Sequence, residues 1–505
     1  MSRSAALVAA ALVIVAAVLL VILREEGDPP KQAAADAPNV IVIMTDDQAL
    51  NTWSADVMPR TFERFEGGTD FTQGFAVPPL CCPARATLMT GRYPQNHGVV
   101  TNRYNSLEDK DDVLPVWLSD AGYKTMIAGK FLNGYEKAKE TNNGAEPAPG
   151  WDRWWISAGE ERKYLDYEVS IDGELVEFGS EREDYVTNAM TDASIEFMTD
   201  EAGGDSPYFL WMAHPAPHEA SRDENPLCRE EGPLPLPQDF RQAEDAELPT
   251  DPSFYEKDVG DKPPFIQRFP ARSKRAVERN ELTYRCTVAA LAAVDRSVER
   301  VFKTLEETGE ADNTIVFFVS DNGTYFGEHR KPGGKQLPYD PSARVPFAVK
   351  LPDGRDAPRS SDLIVGLHDI APTILDLAGL EGEHRADGRS LVAPLRGHAE
   401  DWPQDRALVL EVGKEERCVG YHALRGATFL YTEYREQAGE ECEVGFRELY
   451  DLRDDPFMLE NLLAAPGVDP DDEARADELA LRLAEVNACS GIEGRDPASS
   501  SPFCE

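Results

Sequence analysis

The stretch LCCPARATLMTG, residues 80–91, sets Cys81 and Cys82 side by side ahead of Pro83 and Arg85. Adjacent cysteines rarely bond each other, because one peptide unit hardly allows the separation and dihedral of a disulfide. Pro83 suits the first turn of a helix, ARATLMT its body and Gly91 its C-terminal cap. Both cysteines then fall at the helix N-terminus, where the dipole and free N–H groups favour negative charge. A thiol there is expected to be acidic and reactive, with Arg85 folding back toward it.

A second constellation is made of carboxylates. Asp46 and Asp47 close one apolar run, NVIVIMTDDQ at 39–48, and Asp321 and Asn322 close another, NTIVFFVSDNG at 313–323. Gathered at one place, three carboxylates and an amide repel one another unless a cation sits among them. Hard oxygen donors, without Cys or His at zinc-type spacing, point to Ca²⁺ or Mg²⁺. Either pair alone reads first as a turn or helix cap. Two pairs in the same strand-end position favour a metal site. Basic groups occupy similar places: Lys130 ends YKTMIAGK at 123–130, and His214 and His218 end YFLWMAHPAPH at 208–218. His329, in FGEHR, and Lys335 follow the second acidic pair.

Continuous apolar runs rich in Val, Ile and Phe read as strands buried on both faces. Helical spacing recurs between them, at 185–199 and 280–308. The expected class is α/β: a large, mostly parallel sheet sandwiched by helices, with ligands at the carboxyl ends of its strands. The polar residues that end the runs should therefore converge. After about residue 400, RALVLEV, HALRGATFLYTEY and FRELYDL alternate as antiparallel strands do, and 472–488 reads as an amphipathic helix. The chain divides into a catalytic domain at 39–399, a smaller C-terminal antiparallel-sheet subdomain at 400–488 and a tail at 489–505. The Pro- and acid-rich segment 223–265 reads as a surface insertion walling the site.

At 505 residues and 41% hydrophobic content the chain is globular in composition. It carries 92 acidic against 51 basic residues, a net charge of −41. That balance argues against nucleic acid and anionic membrane surfaces as partners, since both ask for a basic patch. Residues 5–23 are an uncharged apolar run, longer than the ~7–15 residues of a secretory core and close to the ~20 of a spanning helix. They are expected to act as an uncleaved signal anchor or a signal peptide, with residues 24–38 as a flexible tether. The protein is then exported, cell-surface anchored or secreted, and meets membrane only through that segment. Export permits disulfides. Sequence proximity favours Cys418–Cys442 and Cys489–Cys504, leaving Cys228–Cys286.

Cys81-Cys82-Pro83-Ala84-Arg85 resembles the C-x-P-x-R signature of the type I sulfatases, and ATLMTGRYPQNHGV follows in family style. The similarity continues in order through PNVIVIMTDDQ, GKFLNGY, PAPH, VSDNG, the lysine of GGKQLPYD, RVPF, HDIAPTILDLAG and ELYDLRDDP. It spans residues 38–460, and GKFLNGY and HPAPH look most like the N-acetylglucosamine-6-sulfatase and extracellular endosulfatase branch. The resemblance implies an alkaline phosphatase-like fold and hydrolysis of sugar or aryl sulfate monoesters. It also implies conversion of Cys81 to formylglycine by a formylglycine-generating enzyme, with Cys82 at the variable position. Asp46, Asp47, Asp321, Asn322 and the residue at 81 would ligate the cation. Arg85, Lys130 and Lys335 would hold the nucleophile and the sulfate oxygens. Asp321 would take the proton of the attacking hydroxyl, Lys335 would protonate the leaving alcohol, and His218 would deprotonate the second hydroxyl to expel sulfate. His214 and His329 are candidate substrate contacts. The chain departs from many relatives at Cys82 and Ala84, where they have serine, and at Leu132, where they have histidine. Two other readings compete: a formylglycine-dependent phosphonate or phosphodiester hydrolase, and an inactive protein that binds sulfated ligands.

Overall fold

Each central strand alternates its side chains between two cores. Along residues 39–45, Val40, Val42 and Met44 enter one apolar cluster while Ile41 and Ile43 enter another. Residues 314–320 do the same, with Ile315, Phe317 and Val319 on one side and Val316 and Phe318 on the other. An uninterrupted apolar run is what two-sided burial requires, at about 1.5–3 kcal/mol per large side chain.

The computed structural model describes residues 31–504 except 139–140, 143, 160–161, 222–225, 229–231, 353–357, 401, 415–418, 439–440 and 465–466. The apolar segment 5–23 lies outside the described residues, and among those described no helix is long and apolar enough to cross a membrane. Ten strands make the main sheet: β1 (Asn39–Thr45), β2 (Thr69–Phe75), β3 (Lys124–Gly129), β4 (Arg153–Ala158), β5 (Glu168–Ile171), β6 (Glu174–Glu177), β7 (Tyr208–Ala213), β8 (Thr314–Ser320), β9 (Phe347–Lys350) and β10 (Ser360–Gly366). Their order is β10-β2-β9-β8-β1-β7-β3-β4-β5-β6. The centre, from β8 through β1, β7 and β3 to β4, is parallel. β9 runs against both its neighbours, and β5 and β6 close the far edge as an antiparallel hairpin. Helices Val186–Glu201 and Lys274–Thr308 cover one face, and helices Cys81–Thr90 and Ile370–Leu377 the other.

A second, antiparallel sheet follows in the order β11 (Ala407–Lys414), β12 (Val419–Gly426), β13 (Phe429–Ala438) and β14 (Glu441–Asp451), ahead of helix Pro470–Asn487. One apolar cluster runs across both sheets, joining Phe75, Val77 and Tyr339 to Leu408, Leu424 and Tyr450. Cys228 is bonded to Cys286, which fastens the 223–265 segment to helix Lys274–Thr308, and Cys489 is bonded to Cys504. Cys442 is disulfide-bonded as well. Its expected partner, Cys418, lies outside the described residues.

Arg406, leading into β11, closes on Asp369 through two parallel bonds of 2.7 and 2.8 Å, with both side chains fully buried. The Gly366 and Arg389 amides donate to the same carboxylate, each at 2.8 Å. Burial alone would raise the Asp369 pKa, but Arg406, with His368 and the Gly366 amide, brings it down to about 2. Removing one partner of such a pair strands a buried charge, so Arg406→Met is expected to cost about 3–5 kcal/mol in urea unfolding. The depressed pKa adds about 2 kcal/mol, fully present above pH ~4 and lost as pH falls toward 2. Asp369→Asn should therefore flatten the acid limb of the stability curve.

Candidate active site

Register brings the acidic pairs together. Thr45 and Ser320 are the last partners of β1 and β8, so Asp46–Asp47 and Asp321–Asn322 leave the sheet side by side. The Asp47 amide donates to Asp321 Oδ1 at 3.2 Å, and Asn322 Nδ2 donates to Asp47 Oδ1 at 2.6 Å. On the other flank, Gly129 and Ala213 end β3 and β7 in register, and the Lys130 amide donates to the Ala213 carbonyl at 2.8 Å. Gly129 has φ +115°, and a Cβ there would fall 2.0 Å from that carbonyl oxygen. Only glycine lets Lys130 turn inward at this point.

Helix Cys81–Thr90 delivers the thiol. It ends at Gly91 in the left-handed conformation, as its sequence implies, and all ten residues are buried. Asn102 Oδ1 accepts from the Cys82 amide at 3.1 Å, satisfying one of the free donors at the helix start. Arg85 fixes the helix in place: Nε donates to Asp321 Oδ2 at 2.8 Å, Nη1 to the Lys130 carbonyl at 2.7 Å and Nη2 to Asp46 Oδ2 at 3.4 Å. Cys81 Sγ then lies 3.6 Å from Asp46 Oδ1. Lys130 Nζ bonds Asp46 Oδ2, and Lys335 Nζ bonds Asp47 Oδ1.

A cavity of about 1300 Å³ opens above this cluster. Cys81, Asp47, Lys130, His218 and Lys335 line it, whereas Asp46, Arg85, Asp321 and Asn322 form the buried floor beneath. Arg85 is therefore a positioning residue, wholly engaged below the cavity. His218 Nε2 lies 3.7 Å from Asp47 Oδ2, while its Nδ1 meets the Glu219 carbonyl at 2.9 Å. Tyr164, which no motif marks, donates from its hydroxyl to the His218 carbonyl at 2.6 Å and so steadies that loop. Pro233, within the 223–265 segment, forms part of the wall.

The two other candidate histidines stand elsewhere. His214 is fully buried, neither ring nitrogen has a hydrogen-bond partner among the described residues, and burial pulls its pKa down to about 3. His329 is also buried, with Nδ1 2.8 Å from Glu256 Oε2 and its ring against Tyr339 at 4.4 Å. It anchors the start of the loop that carries Lys335, and neither histidine lines the cavity.

Burial sets the electrostatics. The thiol expected to be acidic is not: burial first, then the Asp46 charge, push Cys81 well above the usual thiol range and outweigh the helix dipole. Burial works against ionised Asp46 too, but Lys130, His218, Arg85 and Lys335 hold it far below a normal carboxylate. Asp47 and Asp321 are shifted upward, by burial above all. His218 is lowered to about 4 by burial and the nearby Lys335, which leaves a neutral ring at neutral pH.

The donor set fits a hard cation. Asn322 Oδ1 is buried without a hydrogen-bond partner among the described residues, a free acceptor beside three carboxylates. Ligand atoms of Asp46, Asp47, Cys81 and His218 lie within 4.8 Å of one another. Arg85, Lys130 and Lys335 already balance the charges of Asp46, Asp47 and Asp321. A dication would make the pocket net positive, suited to an anionic ester.

A family model described as Sulfatase matches residues 38–380. The chain belongs to the sulfatase family. A second model, described as N-sulphoglucosamine sulphohydrolase, C-terminal, matches residues 327–487. This sulfatase-family chain is 34% identical over 368 residues to an extracellular sulfatase Sulf-1 homolog of Caenorhabditis elegans, covering 70% of its own length and 48% of that protein. It thus spans about half the length of that relative. N-acetylglucosamine-6-sulfatase of Homo sapiens is 28% identical over 507 residues, covering 92% of this chain and 87% of that protein. A solved structure of a protein with its substrate D-glucosamine-2-N,6-O-disulfate superposes with a TM-score of 0.71 at 21% identity, over 89% of this chain and 97% of the other. That likeness shows the sulfatase fold.

Calcium chloride is expected to raise the thermal unfolding midpoint of the metal-stripped protein, with about 2.7 kcal/mol gained at 100 times the dissociation constant. Asp47→Asn should abolish the shift.

Proposed function

We propose that the protein is an exported sulfatase that hydrolyses sulfate monoesters of carbohydrates, using formylglycine at position 81 and a divalent cation, Ca²⁺ or Mg²⁺. What carries this reading is the convergence at one cavity of Cys81, three carboxylates and three cations from three strand ends, one helix start and one loop. The carbohydrate class is supported by relatives named for N-acetylglucosamine 6-sulfate and by the fold neighbour holding a glucosamine disulfate. Export is supported by the disulfides and by relatives named extracellular sulfatases.

Asp46, Asp47, Asp321 and Asn322 would hold the cation, which supplies charge neutralisation between the ester and its attacker. Formylglycine at 81 would supply a hydrated aldehyde as oxygen nucleophile, with a second hydroxyl that permits release of sulfate. The chain's own groups account for the rest. Lys130 and Lys335 face the cavity and grip the sulfate oxygens in a pocket where water competes weakly. Lys335 is held charged by Asp47 against the pull of burial, and it is the donor to the leaving alkoxide. His218, neutral and held through Nδ1, presents Nε2 as proton acceptor. Arg85 and Asp46 keep position 81 in line.

Mass spectrometry of the peptide ending at Arg85, from protein made in its native host, should show an aldehyde at 81 and an intact thiol at 82. Cys81→Ala should lower kcat by at least about a thousandfold. Turnover of an aryl phosphodiester above that of an aryl sulfate would overturn the sulfatase reading in favour of phosphorus chemistry.

A further inference from the structure

Lys335 reaches Asp47 from a loop whose backbone is strained. Gly334 has φ +74° and Gln336 φ +85°, one on each side of the lysine, and His329 and Arg330 have φ +49° and +60°. Residues other than glycine hold such left-handed angles at a cost, and only where their surroundings leave no alternative. The loop therefore needs anchors outside itself.

Its two ends meet, with the rings of His329 and Tyr339 4.4 Å apart at their centres. From there contacts run round a closed circuit through three parts of the chain. His329 Nδ1 lies 2.8 Å from Glu256 Oε2, and Glu256 Oε1 is 3.4 Å from Lys262 Nζ. Lys262 Nζ in turn sits 5.2 Å from the centre of the Tyr450 ring. The Tyr450 hydroxyl donates to Glu448 Oε1 at 2.7 Å, and the Tyr339 hydroxyl stands 2.8 and 3.0 Å from the two Glu448 oxygens. Tyr434, on β13, adds a third hydroxyl at 2.9 Å. Every group in the circuit is buried.

Glu448 is the costly member. Burial pushes its carboxyl up to about 7, and Tyr450, Lys262, Tyr339 and Tyr434 only partly offset that rise. Apolar packing would fill this place in the core at less cost, whereas a carboxyl group gathered by three hydroxyls fixes each ring in one position. Glu448, Tyr339 and Tyr450 do not line the catalytic cavity, so their influence on it passes through the loop. We propose that Glu448, on β14, is a positioning residue for Lys335: through Tyr339 it holds the strained loop closed and keeps the ammonium group at the leaving oxygen. The C-terminal sheet then takes part in proton delivery through the loop it clamps. This inference rests on the sulfatase reading for the role of Lys335, but the clamp can be measured apart from turnover.

Hydrogen exchange followed by mass spectrometry reads the clamp. In Tyr339→Phe and in Glu448→Gln, the amides of residues 324–342 should exchange about tenfold faster than in the wild type, with β1 and β8 unchanged. No acceleration there overturns the proposal, as does equal acceleration in β1 and β8, which marks a general loss of stability. Should Glu448→Gln fail to fold, Tyr339→Phe, which keeps the ring on His329, decides by itself. Turnover reads the consequence. A sugar alkoxide leaves poorly and needs the proton of Lys335, whereas 4-nitrophenolate leaves without one. Both variants should lower kcat for N-acetylglucosamine 6-sulfate about tenfold with KM little changed, and kcat for 4-nitrophenyl sulfate by less than about twofold. Equal losses on the two esters, or none, overturn the role of Glu448. Turnover of neither ester by the wild type sinks the sulfatase reading alone, and the exchange still decides the clamp.

Discussion

Charge balance in a space closed to water governs this molecule. Asp46, Asp47 and Asp321 sit together because β1 and β8 end in register, and sheet geometry leaves them nowhere else to go. Unpaired, such a cluster would cost several kcal/mol per charge. Arg85 resolves much of it by reaching Asp321, Asp46 and the Lys130 carbonyl at once. Because those contacts come from one side chain, they also dictate where helix Cys81–Thr90 lies. The reactive position is thus placed by a neutralising arginine four residues along, as much as by packing.

The site has two levels with separate duties. The floor of Asp46, Arg85, Asp321 and Asn322 is shielded and rigid, so its dipoles need no reorganisation when charge develops above. Two of the groups that face the cavity are held from outside the sheet: Lys335 by a loop tied through His329 to Glu256, and His218 by a turn tied through Tyr164. Specificity can therefore change in the loops without disturbing the floor.

The strand ends were readable because the chain states them plainly: an apolar run long enough for two-sided burial, then an abrupt polar stop. The same rule placed Lys130 and His218, and the turn from parallel to antiparallel character near residue 400 showed as alternation. Depth was not readable. Nothing in HPAPH distinguishes His214, sealed in the core, from His218, four residues on and open to the cavity. His329 was a candidate substrate contact, yet Glu256, far away in sequence, draws it inside. The thiol was misjudged for the same reason, since a helix N-terminus favours a thiolate only where solvent is near. Tyr164 carries no signal at all, because its role is hydrogen bonding to the main-chain carbonyls of Pro215 and His218, brought close by the fold. The antiparallel setting of β9 was equally hidden, as four apolar residues do not declare their direction.

The burial of helix Cys81–Thr90 also imposes an order of events on biosynthesis. With Cys81 only 1% exposed and every residue of its helix covered, no macromolecular catalyst can grasp this stretch in the finished protein. Any enzyme that rebuilds the side chain must meet it while the polypeptide is still threading out and unpaired with β8, more than two hundred residues downstream. Were position 81 rebuilt in this way, modification and folding would compete in time, and a faster-folding variant would emerge with more of its molecules left unfinished.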